Sequence, residues 1–305
     1  MANKTEKRTK HKDHKQFISD VTAEETSELK QTITTPSDDR DAMAWDHVQL
    51  SRHENRPYTL DYIERLFMSF HPIHGDRRFA DDTAIVGGMA ILENQPVMVI
   101  GQQKGRNTKD RLYRNYGMAK PEGYRKAIRL MQIANKFNRP ILTFIDTPGA
   151  YPGIGAESRG QAEAIAYNLR VMADLQVPVV ATVIGEGGSG GALAIGLADR
   201  ILMLENSIYS LISPESCSAI LWKDQKHAKE AAGALCLQPT DLKQLDIIDE
   251  IIPEPPTGAH GDWDAAASIL KESILRNLSE LTAQTPQDRL QHRFEKFRGM
   301  GEFFE

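Results

Sequence analysis

Cysteine is scarce. Only Cys217 and Cys236 occur, and neither belongs to a CxxC pair. A structural zinc site draws on four ligands and a disulfide framework on several pairs, so this chain is predicted to hold neither. A reducing, cytoplasmic setting fits. Long apolar runs are also missing; those present are strand length, and none could span a bilayer. Charge of one sign is not in excess. A net charge of −5 over 305 residues gives no global attraction to nucleic acid or membrane. Neither an internal repeat nor a linker-like stretch interrupts residues 45–283, so one folded unit is expected. Apolar residues are sparse before residue 41, where a basic start turns acidic. That predicts a disordered charged tail over 1–40, with a transient helix at 22–31, and a single domain over 41–305 ordered from near Trp45. The basic start has no apolar region behind it and is not a secretory signal.

What the chain has is glycine in one place. Val177–Glu205 reads VPVVATVIGEGGSGGALAIGLADRILMLE, with five glycines within Gly185–Gly191. An apolar β-branched run, a glycine loop, an alanine- and leucine-rich segment and a second apolar run predict strand, tight loop, helix, strand. Glycine lets a backbone approach a ligand closely, and a helix start adds unpaired N–H donors and a positive dipole end. Three motifs overlap there. Gly185-x-Gly187-x-x-Gly190 with Glu205 downstream fits a dinucleotide fingerprint. Gly187-x-Ser189-x-Gly191, with Asp249 and His260 beyond, fits a nucleophile elbow in hydrolase order, although no HGGG-type segment precedes it. The third reading is an oxyanion hole of backbone amides alone. A second glycine loop, Thr147–Gly153, lacks the GK[ST] ending of a P-loop, which disfavours ATP. Two such loops leaving successive strands supply donors from two places.

Apolar spacing predicts helices at 58–70, 121–137 (opened by Pro121), 157–174, 214–235, 239–245 and 263–283. Strands are expected at 84–92, 96–101, 140–146 and 178–184. The alternation argues for a parallel, helix-covered sheet.

FIDTPGAYPG (144–153), VIGEGGSGGALAIG (183–196), YSLISPESCSAILWKD (209–224) and IIPEPPTGAH (251–260) resemble the α subunits of bacterial acetyl-CoA carboxylase carboxyltransferase. RRFADDTAIVGG (77–88), QKGRNTKD (103–110) and RNYGMAKPEGYRKAIRLM (114–131) match as well, so the likeness runs from about Trp45 to His260. It implies a crotonase-like α/β fold, a spiral of ββα units with a helical C-terminal region. It implies a β subunit carrying a zinc ribbon, in an α2β2 assembly. It also implies carboxyl transfer from carboxybiotin, borne on a biotin carboxyl carrier protein, to acetyl-CoA, giving malonyl-CoA for fatty acid synthesis. A separate biotin carboxylase would use the ATP; this chain itself would bind no cofactor, metal or nucleic acid. The competing readings are a self-sufficient crotonase-fold hydratase, isomerase or decarboxylase, and a non-catalytic scaffold subunit.

By that resemblance Gly190 and Gly191 give the oxyanion-hole amides on the biotin side, and Asp199 closes the helix that follows. Gly187 and Gly188 shape the approach, Gly149 and Ala150 line the facing wall, and Arg159 stands ready for a carboxylate. Valine at Gly190 or Gly191 is expected to abolish transfer. Ser189 reads as a small spacer rather than a nucleophile, and Asp146 as a loop cap. Lys104, Arg106, Lys109, Arg111 and Arg114 could meet coenzyme A phosphates, the carrier or the β subunit. Departures from the family pattern include Gln102, where histidine is common, Ser216 for glycine, Ser158 for glutamate, Gly261 after GAH, and His71-Pro72-Ile73 before HGDR.

Overall fold

The computed structural model describes residues 38–301; the helix expected at 22–31 lies outside them. Helices α1 (Asp38–Ser51) and α2 (Thr59–Leu66) come first. Strands β1 (Phe70–Pro72), β2 (Ile85–Leu92) and β3 (Gln95–Gln102) follow. Helices α3 (Thr108–Tyr113) and α4 (Pro121–Lys136) lead to β4 (Ile141–Thr147). Then come α5 (Ile154–Ser158), α6 (Gln161–Ala173), β5 (Val179–Gly188) and α7 (Ser189–Leu193). Strands β6 (Arg200–Leu204) and β7 (Ile208–Ser210) precede α8 (Pro214–Trp222), α9 (Ala228–Ala234) and α10 (Pro239–Gln244). Strand β8 (Glu250–Ile252) and helices α11 (Trp263–Thr282) and α12 (Pro286–Arg298) complete the order.

The apolar runs pair into one eight-stranded sheet, ordered β1-β2-β3-β4-β5-β6-β8, with β7 pairing to β5 off that path. β1, β2 and β3 are antiparallel, and every pairing from β3 onward is parallel. The parallel expectation therefore holds beyond an antiparallel edge, where a tight turn at Glu93 (φ 52°) closes the hairpin. Period-two alternation sends Ile141, Ile145, Val179, Ala181 and Val183 into one core, under α4 and α6. It sends Leu142, Phe144 and Val180 into the other, under α2 and α11. Burial on both faces is why β4 and β5 are continuous apolar runs.

Several boundaries differ from the sequence expectation. Gly185–Gly188 continues β5 instead of forming a loop, because β7 pairs with Glu186, Gly187 and Gly188 beyond the last residue that β6 reaches. The helix expected to end at Asp199 is α7 alone, which stops at Leu193. Gly160, left-handed at φ 85°, divides the helix expected over 157–174 into α5 and α6. Lys223 (φ 58°) ends α8 within the helix expected over 214–235. Residues 38–40, expected in the tail, lie in α1, and Asp41 beside them is buried.

Candidate active site

The parallel strands deliver their carboxyl ends to one edge, where ligand loops collect in open α/β sheets. There β4 and β5 change register. Ile145 faces Val183 but Thr147 faces Gly187, so β5 carries two extra residues across that interval. Asp146 fills the gap. Its Oδ1 accepts the Glu186 N–H at 3.0 Å, and its own N–H donates to Gln102 Oε1 at 3.0 Å. It joins the strand ends together instead of capping the loop that follows it.

Gly188 is the extended residue before α7, and Ser189 turns left-handed (φ 50°) to start the helix. The first-turn amides of Ser189, Gly190 and Gly191 have no acceptor inside α7. They sit at the positive end of its dipole. The second turn lies against them: a Cβ on Gly191 would fall 2.5 Å from the Gly149 carbonyl carbon and 2.8 Å from the Ala150 nitrogen. Gly149 has φ 157°, and Thr147 Oγ1 both donates to its carbonyl (2.7 Å) and accepts its N–H (3.1 Å). Gly190 has room, since a Cβ there would meet only Ile165, at 3.5 Å. Ser189 is exposed and Gly190 half-buried, so the turn reaches solvent.

The structure thus brings Gly149, Ala150, Gly190 and Gly191 together. Gly188 packs on the Pro148 carbonyl, while Gly187 lies lower, under the ring of Tyr209. Arg159 is not brought in. Its guanidinium bonds the buried Glu122 at 2.9 and 3.2 Å and covers Phe79 at 4.7 Å. The residues of the other two motifs are engaged elsewhere. Glu205 accepts the Glu254 N–H, Asp249 pairs with Lys296, and His260 lies 4.0 Å from the His53 ring. Asp199 receives the Val179 N–H and the guanidinium of Arg293.

Sequence reading named Lys104 and Asp146 singly but missed the row of charges they join beside the turn. Lys104 Nζ lies 2.8 Å from Asp146 Oδ1 and 2.7 Å from Glu186 Oε2. Arg52 bridges Glu186 and Glu215, each at 2.5 Å. Burial works against the Lys104 ammonium, but Asp146 and Glu186 outweigh it and push its pKa up. Burial likewise opposes charge on Glu186, yet Lys104 and Arg52 hold its carboxyl below the usual range. At Asp146 burial prevails over Lys104, and the carboxyl is raised. Lys104, Arg52, Tyr58, Arg111, Pro148 and Glu186 line a cleft of about 200 Å³. The signal for this row was present in two places, the basic run from Lys104 and a glutamate set between glycines. Arg106 and Arg114 are committed elsewhere, to Asp61 and to Thr83 and Asp110. Among the described residues no group of His, Cys, Asp and Glu could hold a metal ion, and no helix is long and apolar enough to cross a membrane. What the turn can offer is fixed, non-titrating donors for negative charge.

The chain matches the family described as acetyl co-enzyme A carboxylase carboxyltransferase-like over residues 2–301, well past both ends of the motif-bearing segment. The acetyl-coenzyme A carboxylase carboxyl transferase subunit alpha of Geobacter metallireducens is 59% identical over 261 residues, 86% of this chain and 82% of that one. Its counterpart in Pasteurella multocida is 58% identical over 258 residues, 85% and 81% of the two chains. Among solved structures, transcarboxylase 12S with methylmalonyl-coenzyme A and methylmalonic acid bound aligns with TM-score 0.61 at 16% identity, over 77% of this chain and 44% of that one. A Pseudomonas malonate decarboxylase hetero-tetramer in complex with coenzyme A aligns with TM-score 0.61 at 17% identity, over 77% and 91%. The structural likenesses show the crotonase-like fold, and the sequence identity goes further: the chain belongs to the family of acetyl-coenzyme A carboxylase carboxyl transferase α subunits.

Proposed function

We propose that this chain works with a β subunit to move a carboxyl group from carboxybiotin to acetyl-CoA, forming malonyl-CoA, and that its Gly190-Gly191 turn forms the oxyanion hole on the biotin side. Carboxybiotin, brought by a biotin carboxyl carrier protein, is a substrate here and supplies the carboxyl group. The packing of Gly191 on Gly149 and Ala150 carries the assignment, because it fixes two turns against each other while leaving first-turn amides without a helical acceptor. Amides held in place meet developing negative charge without reorganising, and they neither titrate nor react. Gly188 sets the approach to the turn, and Gly149 and Ala150 form its wall. Arg159, bonded to Glu122, serves the scaffold in this reading.

The β subunit is expected to carry the zinc and the matching site for acetyl-CoA, in an α2β2 complex in the cytoplasm. ATP is used at a separate biotin carboxylase. The test is reconstitution: the chain with its β subunit should form malonyl-CoA in a biotin-dependent assay, and the chain alone should not. Hydration, isomerisation or decarboxylation of an acyl-CoA by the chain alone would favour the self-sufficient enzyme. Full activity of the Gly191→Val complex would leave the chain a scaffold.

A further inference from the structure

Gln102 ends β3, is fully buried, and gives both halves of its side-chain amide to backbone groups of other elements. Oε1 accepts the Asp146 N–H at 3.0 Å, and Nε2 donates to the Gly191 carbonyl at 2.9 Å. Each partner stands where regular pairing breaks. Asp146 lies inside the register shift between β4 and β5. Gly191 lies in a helix too short to satisfy its carbonyl, and the Ile195 N–H one turn on bonds Ala192 instead, at 3.3 Å. Chemistry fixes the amide's orientation, since a flip would set donor against donor and acceptor against acceptor. Thr59 Oγ1 holds the Gln102 carbonyl at 2.5 Å, so the anchor is itself anchored.

We propose that Gln102 is a positioning residue for carboxyl transfer, tying the Gly191 peptide to the end of β4 and so fixing the donor turn. The inference rests on the reading of that turn as the oxyanion hole. A helix of five residues has few internal bonds to set its direction. Its amides must nonetheless be held to within about 0.5 Å to serve a transition state. Gln102 touches no reacting atom and acts through Gly191. The departure from the family pattern keeps this function, because histidine also presents one acceptor and one donor nitrogen in a single tautomer.

The experiment compares Gln102→Leu and Gln102→His in the assembled complex with the β subunit, with acetyl-CoA and carboxybiotin as substrates. Gln102→Leu should lower kcat about 10- to 100-fold, the scale of a donor displaced by up to about 1 Å, with KM for acetyl-CoA within about twofold. Gln102→His should recover most of the lost rate. A Gln102→Leu complex with kcat within about twofold of the parent overturns the proposal, as does a Gln102→His complex no faster than Gln102→Leu. If Gln102→Leu fails to assemble, Gln102→Asn decides, because it keeps the amide but is one methylene too short for both partners. A slow rate at unchanged KM then supports the proposal and a parental rate overturns it. An inactive parent complex would instead sink the functional reading itself.

Discussion

The two ends of β5 treat their polar groups in opposite ways. At the amino end the strand's first N–H and the charges beside it are paired. The Val179 N–H donates to Asp199 at 2.8 Å, and Asp199 takes Arg293 Nε and NH2 at 2.8 and 2.9 Å. Arg293 also donates to the carbonyls of Met172 (2.7 Å) and Leu175 (2.9 Å), and both charged groups are buried. At the carboxyl end the strand runs into glycine, a left-handed serine and amides with no helical acceptor. A single strand thus carries a closed polar network at one end and open donors at the other. Closed networks rigidify a core, while open donors at a strained turn are available to a ligand.

The closed end is predicted to be the more sensitive for stability. Arg293→Met should lower the unfolding free energy by about 3–5 kcal/mol, measured by urea titration, because it strands a buried carboxylate. Burial already raises Asp199 above its ordinary pKa in spite of Arg293, and losing the guanidinium raises it further. A raised carboxyl pKa destabilises the fold only where the unfolded chain is ionised, so the deficit should shrink as pH falls through about 4. At the open end, Gly191→Val should leave the fold standing but cut malonyl-CoA formation about 100- to 1000-fold, since its side chain must push the Gly149 turn away.

Midway along the strand, Arg56 donates to the Ile184 carbonyl at 2.7 Å and pairs with Glu254. Burial opposes charge on Glu254, yet Arg56 holds its carboxyl down to about 2. Its folded pKa lies below the unfolded one, so this stabilisation is complete above about pH 5 and lost as pH falls toward 2. Glu254→Gln should flatten the acid limb of the stability curve, a difference on the order of 3 kcal/mol. The smallest effect is expected for Gly190→Ala, where the methyl meets only Ile165. Its rate should stay within about threefold of the parent, and a collapse would show that the turn depends on Gly190 for more than space.

The glycine turn and the strands around it were legible because apolar runs and breakers sit where physics puts them. Pro121 did open its helix, and the strands expected at 84–92 and 96–101 pair as β2 and β3. Helix α12 was invisible because Arg289 and Arg293 occupy its buried positions, and charged residues read as solvent-facing. The end of β5 was misread since glycine carries little strand preference of its own, and its pairing comes from β7. That Asp146, Glu186 and Lys104 meet was not legible, because their contacts span 40 and 82 positions, a distance at which no local pattern operates.

The Arg293–Asp199 pair also sets an order of events during synthesis. The two lie 94 positions apart, so the carboxylate has no counter-ion until α12 has emerged from the ribosome. A nascent chain can assemble its sheet but must wait for the last described helix before that region can dry out. Any product cut short before α12 would keep that acid without its guanidinium at the amino end of β5.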